Sequence, residues 1–259
     1  MYATERQELI ERLLVDDGRV SVVELARRFD VTTETVRRDL DQLESTGALR
    51  RVHGGAVPRD RASTTESSLS ERLQRQGSAK TAIGRRALDA LGDDFRGSIF
   101  LDAGTTTAAL AALLAPRLAS GSIDVVTHAL SLAHALSAVP NSSLTVIGGR
   151  VRGLTAAAVG ADTVRAIESL RPDVAFIGTN GVSAGFGLST PDPDEAAVKR
   201  AIVRSARRIV VVADAEKLGR DLLVGFAPLA DVDVLVTDAA PDPELTAALE
   251  EAGVEVWIA

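Results

Sequence analysis

Short apolar runs alternate with helical patterns over most of this chain, and this alternation constrains the fold more than any other feature. Strands that alternate with helices predict an α/β domain with a mostly parallel sheet covered on both faces. Helical stretches include Thr106–Leu118, Asp194–Ser205 and Pro243–Ala252. The seven strand-like runs are Ser98–Leu101, Asp124–Val126, Leu144–Ile147, Val174–Ile177, Ile209–Ala213, Val234–Val236 and Val254–Ile258.

The N-terminal part has a different pattern, with three short helices followed by a hairpin. Ser21 stands three residues before Glu24, which is the spacing of a capping box at the start of the second helix. Thr32 or Thr33 can cap the third helix, and Gly47 lies just past its end. The predicted buried residues are Leu9, Ile10, Leu13 and Leu14 in a helix over Glu5–Val15, Val22, Leu25, Ala26 and Phe29 in the second, and Val36, Leu40 and Leu43 in the third. Three helices in this order predict an all-α winged helix-turn-helix domain over residues 1–57.

The polar face of the third helix and the hairpin behind it are candidates for reading DNA. Leu49–Val52 is a predicted strand that carries Arg50 and Arg51, and the following turn is formed by His53, Gly54 and Gly55. The polar residues of the helix are Glu34, Thr35, Arg37, Arg38, Asp41 and Gln42. The alternative is an ordinary amphipathic helix with a solvated surface.

The charge balance requires that any DNA contact be local. The formal net charge is −7, and residues 1–58 contain nine arginines and no lysines against eleven acidic residues, a balance of −2. Whole-molecule attraction to phosphate would therefore be weak or repulsive. For the N-terminal part to bind DNA, its arginines must lie on one face.

Composition excludes several other kinds of site. The chain has no cysteine and three histidines, so we expect no disulfide, no thiolate metal site and no structural metal. There is no apolar run of the roughly 20 residues that a membrane span requires, and no signal-like N-terminal run. We expect a soluble, cytoplasmic protein without a cofactor.

A change of composition marks the domain boundary. Residues 58–76 are rich in serine, threonine and charge, which is typical of a linker, although helix can form towards Leu73. A helix over Ala79–Leu91 then opens a larger domain, 77–259.

Small polar residues follow the ends of the predicted strands, where open α/β sheets bind ligands. The loop Asp102-Ala103-Gly104-Thr105-Thr106-Thr107 precedes an alanine-rich helix, whose N-terminus suits a phosphate group. The alternative is a tight turn with a helix cap, and neither Walker nor G-x-G-x-x-G patterns are present. The other ends carry Thr127-His128, Gly148-Gly149-Arg150, Gly178-Thr179-Asn180-Gly181, and Asp214 with Lys217.

Two stretches resemble one family of bacterial transcription regulators. The strings T-V-R-R-D-L and R-V-H-G-G-A at positions 35–40 and 51–56 are similar to the N-terminal domain of the DeoR family. The run from Ile177 to Ile202, followed by V-V-V-A-D-A-E-K-L-G-R, resembles the sensor domain of that family. The resemblance implies an operator-binding repressor with a sensor fold similar to ribose-5-phosphate isomerase and the CoA transferases.

The resemblance also implies which residues bind. On the DNA side, the helix contributes Thr33, Glu34, Thr35, Arg37 and Arg38, and the wing adds Arg50, Arg51 and His53. Cations at Lys199 and Lys217 suit a phosphate dianion, although Lys199 could instead pair with Glu195 at i+4. For the effector, the resemblance implies Asp102, Gly104, Thr105, Thr106, Gly178, Asn180, Gly181, Glu195, Lys199 and Lys217. The ends of the predicted strands add Thr107, Thr127, His128, Gly148 and Gly149 to the expected effector-binding set.

His128 departs from the family pattern, which commonly has asparagine after that threonine. An imidazole there could alter the choice of ligand or make binding sensitive to pH, or it could reflect packing alone. His134, Arg150 and Arg152 stay open between surface and site.

Two functions follow from these expectations. The first is a homo-oligomeric repressor that binds double-stranded operator DNA and is controlled by a phosphorylated sugar, such as fructose 1-phosphate. The second is a sugar-phosphate isomerase with a DNA-binding attachment, for which Asp102, Asp192, Glu195 and Lys217 could supply acid–base chemistry. The fourth strand end carries G-T-N-G without an acid pair, which favours the repressor, and we therefore expect no catalytic residue.

Overall fold

The chain forms two compact units, Met1–Ala62 and Ser63–Ala259, which divide within the predicted linker. The computed structural model describes residues 3–17, 20–46, 48–52, 54–58, 63–64, 66, 68–74 and 76–259. The predictions for Gly47 and His53 lie outside these residues.

The first unit packs three helices against a small antiparallel sheet of order β1-β3-β2. Its elements are α1 (Ala3–Asp17), β1 (Val20–Ser21), α2 (Val22–Phe29), α3 (Thr33–Ser45), β2 (Leu49–Val52) and β3 (Gly55–Pro58). The three helices and the wing strand at Leu49–Val52 are confirmed. Gly55 was expected in the turn but belongs to β3, because it pairs with Val52. Strand β1 pairs with β3 and was not anticipated, since two residues carry no periodicity.

The predicted core of this unit is largely correct. Ile10, Leu14, Val36 and Leu40 are all at most 2% exposed. Leu9, expected inside, is 37% exposed instead. Its helix needs only a narrow apolar stripe, and the neighbouring position Ile10 takes the central place in the core.

The predicted helix caps differ in outcome. Thr32 caps α3, and its side-chain oxygen accepts a hydrogen bond from the Thr35 backbone N–H at 3.1 Å. Ser21 stands at the N-cap of α2, but its side chain makes no capping hydrogen bond. Ser21 is instead the last residue of β1, where it pairs with Gly55.

The second unit is built on a seven-stranded sheet, and all seven predicted strands are present. Their order is β15-β14-β12-β9-β4-β5-β6, and every adjacent pair is parallel. The strands are β4 (Gly97–Leu101), β5 (Ile123–Thr127), β6 (Ser143–Val146), β9 (Val174–Gly178), β12 (Ile209–Val212), β14 (Val234–Thr237) and β15 (Glu255–Ile258).

Helices cover both faces of this sheet. One buried cluster packs Ile83 and Leu110 against Ile99, and another packs Ile202 and Leu245 with Phe100 and other strand residues. Neighbouring strand residues thus enter opposite cores, as the alternation along a strand requires. The helices are α4 (Leu69–Gln74), α5 (Gly77–Ala87), α6 (Thr105–Leu118), α7 (Leu130–Ser137), α8 (Ala161–Glu168), α9 (Pro193–Ser205) and α10 (Pro243–Glu251).

Some local structure differs from the sequence-based prediction. The helix expected over Ala79–Leu91 ends at Ala87 and continues as a 3₁₀ turn, Leu88–Leu91. Five short strands were missed: β7 (Arg150–Arg152), β8 (Ala157–Val159), β10 (Gly181–Ser183), β11 (Gly187–Thr190) and β13 (Val224–Ala227). They form two small antiparallel sheets, and each is too short and too rich in small residues to show an alternating pattern. In the described part of the chain, no helix has the length and apolar character needed to cross a membrane.

Candidate functional site

The polar face of α3 presents the predicted DNA-binding residues to solvent. Thr33, Glu34, Arg37 and Arg38 are exposed, while Thr35 is half-buried. Val36 and Leu40 on the opposite side are fully buried, which orients the helix. The N-terminal end of such a helix is the part that reaches base edges in the helix-turn-helix class.

Weak ion pairs on α3 explain how this unit can contain more acidic residues than arginines and still present arginines to DNA. Glu34 lies 3.6 Å from Arg37 and 3.8 Å from Arg38, and all three side chains are well exposed. Exposed pairs of this kind contribute at most about 1 kcal/mol, so DNA can displace Glu34 from the arginines at small cost. These two arginines are therefore available as reading groups.

The wing arginines are less uniform. Arg51 pairs with Asp41 of α3, and its backbone N–H donates to Glu44 Oε1 at 2.8 Å. These contacts tie the wing to the recognition helix and partly neutralise Arg51. The side chain of Arg50 and the whole of His53 lie outside the described residues.

A buried ion pair beneath α3 was missed by the sequence patterns. Arg6 of α1 and Asp39 of α3 are 7% and 4% exposed, and Arg6 Nη2 donates to Asp39 Oδ1 at 2.9 Å. The hydrogen bond that Arg6 donates to Asp39 raises the pKa of Arg6, although burial opposes this. The pair joins the first helix to the recognition helix, and no periodicity of charged residues announces such a contact.

In the second unit, Asp102 lies at the edge formed by the carboxyl ends of the parallel strands, which we name the carboxyl edge. It follows β4 and is fully buried. Its Oδ2 contacts Lys199 Nζ and accepts a hydrogen bond from the Gly178 N–H at 3.0 Å. Its Oδ1 lies 3.0 Å from His128 Nε2. Four residues of the predicted effector set therefore converge from three strands and one helix.

Asp102 stays ionised because its partners outweigh its burial. Burial alone would raise the pKa of the carboxyl group, but the charge of Lys199 and the hydrogen bond with His128 hold that pKa below its ordinary value of 3.8. Lys199 Nζ also donates to the Gly178 carbonyl at 2.8 Å. The expected alternative, a pair between Lys199 and Glu195 on α9, is wrong because Lys199 turns towards Asp102.

His128 is buried and bridges two parts of this edge. Its Nδ1 lies 2.8 Å from the Ala158 carbonyl oxygen and must donate to it, since a carbonyl cannot donate. Its Nε2 lies 3.3 Å from the Ala103 backbone nitrogen and 3.0 Å from Asp102 Oδ1. The imidazole therefore contacts both the loop after β4 and the backbone of β8.

The loop after Asp102 leaves binding groups available. Gly104 stands at the N-cap of α6 and, as a glycine, has no side chain to bind the first backbone N–H groups of the helix. Thr107 Oγ1 donates back to the Gly104 carbonyl at 2.9 Å. Among the described residues, the hydroxyls of Thr105 and Thr106 have no hydrogen-bond partner. The helix N-terminus and these two hydroxyls together form a group of donors suited to an anion.

Several predicted rim residues instead serve the packing of the edge. Thr127 Oγ1 donates to the Leu101 carbonyl and accepts from the Ala129 N–H, so its hydroxyl is occupied. A Cβ on Gly149 would lie 1.9 Å from Thr163 Oγ1, whose hydroxyl donates to the Gly148 carbonyl at 2.9 Å. We expect these residues to shape the site without touching ligand.

The loop after β9 has a similar structural role. A Cβ on Gly181 would lie 2.3 Å from the carbonyl oxygen of Arg220, which explains a glycine there. Asn180 accepts a hydrogen bond from Thr190 Oγ1 at 3.1 Å and is half-buried. Asn180 is therefore oriented by its neighbours and keeps part of its surface at the edge.

A buried lysine that the sequence did not predict lies near Asp214 and Lys217 at this edge. Lys80 of α5 is 6% exposed, and burial, opposed by Asp214 and assisted by Lys217, lowers its pKa. Lys80 precedes Gly84 by about one helical turn on α5, and Gly84 is where α5 touches Leu110 of α6. The available signal was a single lysine on an otherwise apolar helix face.

Lys217 is a second lysine at this edge. Its Nζ lies 4.0 Å from Asp214 Oδ1, just beyond the carboxyl end of β12. Gln76, immediately before α5, donates from Nε2 to Glu216 Oε1 at 3.2 Å, which brings the start of α5 to the same place. Lys217 acts electrostatically on Lys80, and Lys217 and the N-terminus of α6 both follow carboxyl ends of parallel strands. We name these three groups the basic end.

A second group at this edge, which we name the acidic end, consists of Glu66, Asp192 and Glu195 around Arg152. Asp192 caps α9 and lies 3.1 Å from Arg152 Nε. Glu195 is 6% exposed, contacts Thr155 Oγ1 and lies 3.2 Å from Arg152 Nη1. Arg152 therefore belongs to the site, whereas Arg150 pairs with Asp194 at the surface and His134 is exposed on α7.

Comparison with known protein families decides the assignment of the chain. The family model of the DeoR C terminal sensor domain matches residues 75–239, and that of the DeoR-like helix-turn-helix domain matches residues 6–62. The chain belongs to the DeoR family. The resemblance seen in the sequence is thereby confirmed over both units.

Individual DeoR-family relatives are similar over nearly their full length. The transcriptional regulator GlpR of Haloferax volcanii is 36% identical over 99% of this chain and 98% of its own. The glycerol-3-phosphate regulon repressor of Escherichia coli is 31% identical over 93% of each chain. An uncharacterised regulator, FruR of Bacillus subtilis, is 34% identical over 92% of each.

Solved structures give more distant likenesses. The sorbitol operon regulator SorC of Klebsiella pneumoniae aligns over 96% of this chain and 99% of its own, with 13% identity and a TM-score of 0.43. Ribose 5-phosphate isomerase A of Methanocaldococcus jannaschii aligns over 55% and 54%, with 16% identity and a TM-score of 0.40. The DeoR-family relatives are named regulators and repressors, and this chain belongs to the same family of transcription regulators.

Proposed function

We propose that this DeoR-family chain is a transcriptional repressor of genes for sugar uptake or breakdown, and that a phosphorylated sugar or polyol bound at the carboxyl edge controls it. The observation that carries the proposal is the basic end: two lysines lie beside a helix N-terminus with two unoccupied threonine hydroxyls. A phosphate dianion suits that set of donors. Because operator DNA lies in the cytoplasm, the protein acts there.

The relatives narrow the class of effector. One is named for a glycerol-3-phosphate regulon and another bears the name FruR. We keep fructose 1-phosphate as the first candidate and add glycerol 3-phosphate as the second. Both combine a phosphate with free hydroxyls, which the basic and acidic ends can bind respectively.

Control of DNA binding requires only a modest difference in affinity. If the effector binds the DNA-competent and the incompetent states with affinities that differ by about 1 to 3 kcal/mol, operator occupancy changes markedly. We infer that two or more copies of the chain act together, because paired helix-turn-helix units bind repeated half-sites.

An operator-binding experiment tests both halves of the proposal. DNA selected from a random library by the wild-type protein serves as the probe. Replacing Arg37 or Arg38 by alanine should weaken binding by about 1 to 3 kcal/mol if a base contact is lost, or lower the salt dependence if a phosphate contact is lost. Adding fructose 1-phosphate or glycerol 3-phosphate should change the affinity of the wild type, whereas free fructose or glycerol should not.

The control variant is Arg12→Ala, because Arg12 is an exposed arginine on α1, outside the recognition helix. It should bind the selected DNA like the wild type. If Arg37→Ala and Arg38→Ala both keep wild-type affinity and salt dependence, the assignment of the recognition helix is wrong. If neither phosphorylated compound changes DNA binding, the proposed class of effector is wrong.

A further inference from the structure

Glu66 lies in the segment that the sequence predicts to be a linker, yet its side chain is buried in the second unit. That side chain is 2% exposed, and its Oε2 lies 2.8 Å from Arg152 Nη1. Its Oε1 lies 3.7 Å from Nη1 of Arg72, which follows on α4. The first unit ends at Ala62, so Glu66 stands close to the point where the chain leaves the DNA-binding unit.

Glu66 and Glu195 meet at one nitrogen atom. Arg152 Nη1, which is 2.8 Å from Glu66, is also 3.2 Å from Glu195 Oε1. With Asp192 on Arg152 Nε, three carboxylates surround a single guanidinium group. This excess of negative charge repels a phosphate group, but carboxylates are strong acceptors for hydroxyl donors. The acidic end therefore suits the hydroxyl-bearing part of a ligand.

The hydrogen-bonding capacity of Glu66 is only partly used within the described residues. Both carboxylate oxygens are buried, and Oε2 is held by Arg152 Nη1 at 2.8 Å. Oε1 has only Arg72 Nη1 at 3.7 Å, which is too long for a hydrogen bond. Nε of Arg72 is likewise buried without a hydrogen-bond acceptor among the described residues. Native proteins rarely leave such buried groups unsatisfied, so one acceptor and one donor on the same segment stay available to a ligand.

The raised pKa of Glu66 agrees with a carboxylate that is short of hydrogen-bond donors. Burial first, and then the charge of Glu195, raise the pKa of Glu66, although Arg152 and Arg72 oppose this. The ionised carboxylate is therefore poorly stabilised by its present neighbours. A neutral donor such as a hydroxyl group would relieve that condition without adding negative charge.

The segment that follows Glu66 touches both ends of the sheet edge. The Leu69 N–H donates to the Leu154 carbonyl at 3.1 Å, near the acidic end. Lys80 Nζ at the basic end donates to the Arg72 carbonyl at 2.6 Å. A ligand that spans the two ends would therefore lie against this segment along its length.

We propose that Glu66 contacts the effector directly, accepting hydrogen bonds from its hydroxyl groups, so that the segment joining the two units is itself part of the ligand site. The proposal rests on the proposed function above. Glu66 would then determine specificity from outside the sensor strands. A bound ligand would also contact the segment that leads to the DNA-binding unit.

Isothermal titration of the full-length protein with fructose 1-phosphate, glycerol 3-phosphate and inorganic phosphate tests the proposal. Glu66→Gln should weaken the binding of whichever polyol phosphate the wild type binds by about ten- to a hundredfold, as expected when charged acceptors are lost. Inorganic phosphate, which has no polyol hydroxyls, should bind wild type and variant equally. In the operator assay, the variant should bind DNA normally but respond to the polyol phosphate only at correspondingly higher concentrations.

Glu71→Gln is the matched control, because Glu71 belongs to the same segment and is exposed. It should leave ligand affinity unchanged. Glu66→Asp, which keeps the charge but withdraws the oxygens, provides a second variant if the glutamine protein does not fold, and it should also bind more weakly.

The outcomes separate this inference from the proposed function. If the wild type binds a polyol phosphate and Lys217→Met weakens it, while both Glu66 variants bind as tightly as the wild type, the role of Glu66 is overturned and the proposed function stands. If the wild type binds neither polyol phosphate, the proposed effector class fails, and the role of Glu66 fails with it.

Discussion

At the scale of single residues, the carboxyl edge is held together by one buried ion pair. Asp102 and Lys199 are 0% and 5% exposed, and each also makes a hydrogen bond with Gly178. Removing one member of such a pair leaves a buried charge without compensation, which costs far more than the pair itself contributes. The stability of the second unit and the arrangement of its site therefore depend on the same two side chains.

Asp102→Asn should destabilise the second unit by about 3 to 5 kcal/mol, because Lys199 stays charged and buried. The lowered pKa of Asp102 also sets a pH dependence. In the wild type, this contribution is present above the unfolded value near 3.8 and is lost as pH falls through the lower folded pKa. Denaturant unfolding of both proteins across acidic pH measures the effect.

The double variant Asp102→Asn with Lys199→Met is the control for this prediction. Removal of both charges should recover part of the lost stability, as a double-mutant cycle of interacting residues requires. An Asp102→Asn protein that unfolds at the wild-type denaturant concentration would show that the pair does not stabilise the fold.

At the scale of elements, close approach of the backbone decides where the wing can form. Gly55 opens β3 directly opposite β1, and a Cβ there would lie 2.0 Å from the Val20 carbonyl oxygen. Gly54, its neighbour, has φ of +78° but has open space around it. Two adjacent glycines are therefore required for different reasons, one for packing and one for backbone conformation.

Gly55→Ala should push β1 away from β3 and destabilise the first unit by about 1 to 3 kcal/mol, the usual cost of overpacking. Gly54→Asn is the comparison, because asparagine tolerates positive φ and nothing obstructs its side chain. Thermal unfolding followed by operator binding distinguishes them. Equal loss in the two variants would contradict the close contact between Gly55 and β1.

At the scale of the whole molecule, each unit has a hydrophobic core of its own. Ile10, Val36 and Leu40 belong to one cluster, whereas the sheet of the second unit separates two others. Units with separate cores can unfold in separate steps. The proposed ligand contacts the second unit, including Glu66, so its stabilising effect should be confined there.

Scanning calorimetry of the full-length protein should show two transitions, of which an effector raises only the one that belongs to the second unit. At a hundredfold excess over Kd, the ligand adds about 2.7 kcal/mol to the free energy of unfolding of the unit that binds it. Fructose 1-phosphate and glycerol 3-phosphate are compared with free fructose and glycerol. Absence of any shift would return the loop from Asp102 to Thr107 to its alternative interpretation as a tight turn.

Patterns of neighbouring residues were enough to predict most elements of both units and to recognise the family. Periodicity is a local property, so three helices, the wing and seven parallel strands could be assigned from residues near one another in the chain. The end of each parallel strand lies at one edge, so Asp102, His128, Gly178 and Lys217 could also be placed together. The short strands β7, β8, β10, β11 and β13 carry too few residues for periodicity and were missed.

Which partner each charged group takes could not be predicted from the sequence and became visible only in the folded chain. Lys199 is one turn from Glu195 on α9, yet it pairs with Asp102 because strand order brings β4 beside β9, and a fully buried carboxylate requires a cation. The same reason places Glu66 against Arg152, Asp39 against Arg6, and Asp214 near Lys80. Charged residues far apart in the chain meet through packing, and the cost of burying a charge then decides which of them pair. A pattern of neighbouring residues carries no information about such pairs.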